Sequence, residues 1–131
     1  MQDRPTAIEL VESVREFLKA EILPGVEDPR LKFRTLVAMN ALGILGRELT
    51  QEEAILHSER GRLARLLGLE PEMPGSLENL KEQVTGMNQK LVQLIRDGNP
   101  PPGTLDSLKE TATEKLAVAS PRYLERYADG L

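Results

Sequence analysis

The stretch Arg30 to Leu49, RLKFRTLVAMNALGILGREL, decides the fold. Between Leu36 and Gly46 its only polar residue is Asn40. At about 100° per residue, Leu36, Val37, Ala38, Met39, Ala41, Leu42, Ile44 and Leu45 cover the whole circumference of a helix, and an apolar circumference predicts a helix surrounded by other helices. The expected architecture is an all-α, five-helix bundle with this second helix buried at its centre.

Upstream, Thr6 and Glu9 have capping-box spacing, so the first helix starts there. Leu10, Val11, Val14, Phe17, Leu18 and Ile22 fall within a stripe roughly 140° wide, opposite Glu9, Glu12, Glu16 and Lys19. Pro24 and Gly25 end that helix, and Asp28 before Pro29 is an N-cap followed by proline at the first helical position, where its missing donor costs nothing. Downstream, Thr50 and Glu53 repeat the capping-box spacing and predict a sharp corner into a third helix, about Gln51 to Leu67. Ile55, Leu56, Leu63, Leu66 and Leu67 share one face of it, and Gly68 stands where a left-handed C-terminal cap belongs.

After the loop LEPEMPG, Leu69 to Gly75, Ser76 caps a fourth helix. Leu77, Leu80, Val84, Met87, Leu91 and Leu94 recur at alternating spacings of three and four, a narrow seam suited to one partner helix. That partner is either another helix of the chain or the same helix of a second copy, a homodimer through helix four. Gly86 lies opposite the seam and marks a bend or a close contact. DGNPPPG, Asp97 to Gly103, breaks the chain again. Thr104 then caps a fifth helix with Leu105, Leu108, Ala112, Leu116 and Ala119 on one stripe, stopped by Ser120 before Pro121. Pro121 to Tyr127 adds a short helical turn that returns Tyr123, Leu124 and Tyr127 to the bundle.

With 131 residues the chain reads as one domain, 1–131. The net charge of −4 argues against a nucleic-acid or anionic-membrane partner, both of which demand a basic stripe. No cysteine is present, so disulfides, thiolate nucleophiles and cysteine-liganded metals are excluded, in keeping with a reducing cytoplasm. The start, MQDRPTAIEL, reads as neither a signal nor a transit peptide, and the apolar run Leu36 to Gly46 falls well short of a bilayer. A soluble, cytoplasmic protein is expected.

Catalytic machinery is not legible. His57, the lone histidine, follows Glu53 by four residues, but a di-iron bundle uses Glu-x-x-His twice, and His57 falls away from the leucine face, in solvent. There is no Gly-x-Ser-x-Gly elbow and no phosphate-cradling glycine loop. No cofactor and no metal site is expected. Asn40 is the most informative residue, because a buried amide needs partners. Arg47, two helical turns on and on the same side, and Glu59 from the third helix would form one polar cluster with it. That cluster is either a network fixing helix register or a small pocket. Glu59 is itself read as a core-rim carboxylate paired with Arg62 or Arg47, or as a ligand-facing acid. The arginines of ERGRLARLL, Glu59 to Leu67, diverge around the helix and read as a solvated face. Arg122, Tyr123, Arg126 and Tyr127 read as a docked tail or an interface patch.

Taken in order, DRPT with LVESVREFL (Asp3 to Leu18), VAMNALGIL with REL (Val37 to Leu49), LLG (Leu66 to Gly68), IRDG (Ile95 to Gly98) and KLAVASPRYL (Lys115 to Leu124) resemble an uncharacterised family of small bacterial helical proteins. Its members occur beside, or joined to, aminoglycoside-phosphotransferase-like kinases and acyl-CoA dehydrogenases. The resemblance implies no assigned activity and an accessory role to such an enzyme. By position, the polar members of these motifs are Arg4, Asn40, Arg47, Asp97 and Arg122. The expected function is a non-catalytic interaction or regulatory module. The alternative is a small-molecule binding protein or enzyme with a polar pocket around Asn40, Arg47 and Glu59.

Overall fold

The computed structural model describes residues 3–127. Among them lie five α-helices and no strand: α1 (Ala7–Phe17), α2 (Pro29–Leu67), α3 (Leu77–Arg96), α4 (Thr104–Ala119) and α5 (Pro121–Tyr127). The all-α class and the five helices are those expected, but the helices divide the chain differently. The chain forms two compact units, Met1–Gln51 and Glu52–Leu131, and α2 contributes residues to each.

In the first unit, Thr6 Oγ1 accepts the amide of Glu9 at 3.2 Å, the N-terminal half of the expected capping box. The Glu9 side chain instead accepts at Oε1 from Arg4, at 2.8 and 3.0 Å. A π-helical turn, Leu18–Ile22, and a 3-10 turn, Leu23–Gly25, carry α1 to its stop. Asp28 Oδ1 then accepts the Arg30 amide at 3.1 Å and opens α2 with Pro29 at its first position.

Two expectations for α2 are corrected. No corner forms at Thr50: its hydroxyl donates to the carbonyl of Gly46 at 2.8 Å, within the helix, so it bonds backwards rather than capping forwards. Neither proline nor a left-handed glycine interrupts the run, and the expected second and third helices are one helix. Nor is the Arg30–Leu49 half buried all round. Leu31, Phe33, Leu36, Val37, Leu45 and Leu49 are exposed, and burial is confined to the side bearing Thr35, Gly43 and Gly46. An apolar circumference records that no face repels a neighbour, and within this unit only one face has received one.

The second unit holds the core. Leu63 of α2 packs with Leu80, Val84, Met87 and Leu91 of α3, and Leu56, Ala64, Leu66, Leu67 and Leu69 close around them. The heptad seam of α3 is thus used inside the chain, so a dimer through this helix would have to form on its other sides. Leu80 and Leu91, each 1% exposed, contribute about 1.5–3 kcal/mol apiece by leaving water. Gly68 (φ 64°) and Gly98 (φ 79°) end α2 and α3 in matching Schellman turns: Leu69 N bonds to Ala64 O, and Asn99 N to Leu94 O, both at 2.9 Å. A side chain at either position would be strained. Ser76 caps α3 as expected, its Oγ accepting the Asn79 amide at 3.1 Å. Thr104 does not cap α4; Gly103 occupies that position, and the Thr104 hydroxyl donates to Pro101 O at 2.6 Å. In α5 only Pro121 and Leu124 are half-buried. Tyr123 and Tyr127 remain exposed, their ring centroids 4.6 Å apart, rather than returning to the bundle.

Candidate functional site

The first unit brings α1 against α2 at two glycines. A Cβ built at Gly46 would meet Val11 Cγ1 and Glu12 Oε1 at 3.6 Å, and one at Gly43 would meet Arg47 Nη1 at 3.4 Å and Arg15 Nε at 3.6 Å. The small residues let the helices approach closely. Beside the crossing is a concavity of about 280 Å3 lined by Ile8, Glu12, Arg15, Arg47, Thr50 and Gln51 with the two glycines. It combines two guanidinium groups with one carboxylate.

The same crossing leaves much of α1's apolar stripe outside. Val11 is buried and Leu18 half-buried, while Leu10, Val14 and Phe17 are exposed. At about 100° per residue these three share one side, whereas Glu9, Glu12, Arg15, Glu16 and Lys19 gather in a sector roughly 120° wide on the other. The helix rests on α2 along the border of its two faces, and its uncharged face lies open.

The second unit contains a buried polar cluster. Glu59, 3% exposed, accepts from Asn88 Nδ2 at 3.0 Å. Arg62, 7% exposed, donates to both carboxylate oxygens of Glu114, at 2.7 and 3.1 Å, to Thr111 Oγ1 at 3.0 Å and to Ser58 Oγ at 2.9 Å, with Glu110 at 3.5 Å. The hydrogen bonds to Glu114 raise the guanidinium pKa above its ordinary value against the opposing effect of burial, and the negative charges of Glu114, Glu110 and Glu59 add to the rise. The cation is therefore permanent, and no proton is available from it. Its Nε is buried without a partner. These side chains tie α3 and α4 to α2 and answer one another.

Arg60, half-buried, pins the loop before α3. Its Nε donates to Gln83 Oε1 at 2.6 Å and its Nη2 to the carbonyls of Pro71 and Glu72 at 3.0 and 2.8 Å, while Gln83 Nε2 reaches Glu72 O at 2.8 Å. Gly86 marks no close contact, since nothing lies within 4 Å of a Cβ placed there.

The sequence reading groups Asn40, Arg47 and Glu59. Asn40 is exposed. Arg47 is half-buried beside the α1 crossing. Glu59 is buried as expected, but its amide partner is Asn88. Sequence reasoning missed Asn88 and Glu114, and it placed Arg62 on a solvated face. The signal was available in part: Arg62 follows Glu59 by three residues and adjoins Leu63, and so falls on the leucine face. Arg122 and Tyr123 lie exposed on α5. His57 is exposed too, its Nε2 3.9 Å from Glu53 Oε1. Among the described residues no three His, Cys, Asp or Glu side chains gather as a metal site, and no helix is long and apolar enough to cross a membrane.

The fold and these sites define an all-helical protein with an interlocked polar core in one unit and an uncovered apolar surface in the other. The chain belongs to the family described as Domain of unknown function (DUF6285), whose model matches residues 24–123. The match covers α2, α3, α4 and the start of α5. No curated protein and no solved structure matches the chain.

Proposed function

We propose that this protein is a non-catalytic interaction module, accessory to a phosphotransferase-like or acyl-CoA-metabolising enzyme of the bacterial cytoplasm, and that α1 is its docking element. The observation that carries the reading is the open, uncharged side of α1, Leu10, Val14 and Phe17, on a unit whose only buried large apolar side chain among the described residues is Val11. A contiguous exposed apolar surface bounded by charge is the mark of a protein-binding site. The interlocking of Glu59, Asn88, Arg62 and Glu114 adds support, because it leaves the polar groups of the second unit engaged with one another. The class of enzyme rests on the family resemblance in the ordered motifs. Recovery of the tagged chain from its native cells tests the reading: the wild type retains such an enzyme at stoichiometric amounts, and Phe17→Glu loses it. A wild type that returns alone contradicts it.

The concavity at Arg15 and Arg47 favours a second reading, a binding protein for a small anion, its volume of about 280 Å3 lying at the small end of ligand sites. A concentration-dependent rise in melting temperature with nucleotides or acyl-CoA, abolished by Arg47→Ala, would select it over docking.

A further inference from the structure

The outward side of α2's first half lies opposite the α1 contact and has its own pattern. Phe33 (67% exposed), Val37 (50%) and Leu45 (42%) share it with Ala41, which is also exposed, and half-buried Ile44. Arg30 and Glu48 stand at its two ends, both exposed. They are about five helical turns apart, which returns Glu48 to the azimuth of Arg30 roughly 27 Å along the axis. A strip that is apolar in the middle, basic at one end and acidic at the other is complementary to itself reversed.

We infer that this strip binds the same strip of a second copy, antiparallel across a two-fold axis. Such an interface is isologous, so each contact occurs twice. Centring the pair between Val37 and Ala41 sets Val37 against Ala41, Phe33 against Leu45 and Arg30 against Glu48 of the other copy. Ala41, being small, lets the axes approach, and the Arg34 stem lies over Ile44 with its head in water. A parallel pair would set Arg30 on Arg30 and Glu48 on Glu48, so charge selects the antiparallel one. Phe33, Val37 and Leu45, with the smaller contributions around them, supply roughly 500 Å2 from each copy, and the pair reaches the about 1,000 Å2 that a specific interface requires. This surface is separate from the α1 face of the proposed docking, and dimerisation stands or falls independently of any enzyme partner.

Sedimentation of the full chain over a concentration series tests the pairing. The wild type passes from 14.6 kDa towards twice that mass as concentration rises. Arg30→Glu and Glu48→Arg each face like charge against like charge in their own homodimers, and each weakens the dimer about tenfold. Mixed in equal amounts, R30E and E48R restore wild-type dimerisation, because in the heterodimer one copy is acidic and the other basic at both ends of the strip, and both end contacts become opposite-charge pairs. Both variants lie on an exposed face, and unchanged circular dichroism verifies that they fold. A single 14.6 kDa species at every concentration overturns the inference, as does a mixture no more dimeric than its components.

Discussion

Arg62 and Glu114 form a bidentate pair, Nη1 to Oε1 at 2.7 Å and Nη2 to Oε2 at 3.1 Å, that fastens α4 to the second half of α2. Arg62 is nearly inaccessible while Glu114 keeps a quarter of its side chain in contact with water, so the two truncations are unequal. Glu114→Ala leaves a buried cation without its main partner and should cost about 3 kcal/mol in urea unfolding. Arg62→Ala with Glu114→Ala should cost at least about 1 kcal/mol less than the sum of the single changes, because the pair acts as one unit. Strict additivity would show that the bonds contribute nothing as a pair.

Glu59 and Asn88 make the parallel link from α2 to α3. Asn88→Ala removes the donor and leaves a carboxylate that is almost wholly out of water, a loss of about 1–3 kcal/mol in the same assay. Glu59→Gln keeps an oxygen acceptor for Asn88 and should cost less than Asn88→Ala. The reverse order would mean that the charge of Glu59, not its hydrogen bond, does the stabilising.

Gly86 sits inside α3 with open space where a Cβ would go. Gly86→Ala therefore gains helix propensity without a clash and should raise stability by about 0.5–1 kcal/mol, read as an increased melting temperature. A lowered melting temperature would mean that the helix needs glycine there.

Asn40 is the residue for which sequence and structure disagree most. A buried, networked amide would make Asn40→Leu change stability by more than about 1 kcal/mol in one direction or the other. Being exposed, it should change it by no more than about 0.5 kcal/mol. Chemical denaturation of that one variant separates the two.

What the residues disclosed and what they concealed have physical causes. The seam Leu80, Val84, Met87, Leu91 and the leucines of α2 from Leu56 to Leu67 were legible, because a face repeated every three to four residues states its own burial. Ser76 and Gly68 were legible because caps are local chemistry. Thr50 misled because a threonine hydroxyl serves equally as a forward cap and as a backward bond to the preceding turn, and only the backbone chosen tells which. The run from Leu36 to Leu45 misled because apolar character measures a tolerance for neighbours, while their presence depends on where other helices end. Asn88 and Glu114 were invisible because their significance depends on pairing with α2 residues 29 and 52 positions earlier in the chain.

The first unit leaves apolar surface for another molecule to cover. Hydrogen exchange on the dilute chain measures this most directly, since protection follows local burial. Amides of residues 80–91, backed by the core, should exchange at least about a hundredfold more slowly than those of α1, and protection of residues 33–45 should rise with protein concentration. Equal, concentration-independent protection of the two units would contradict it, because the first unit would then be complete as it stands.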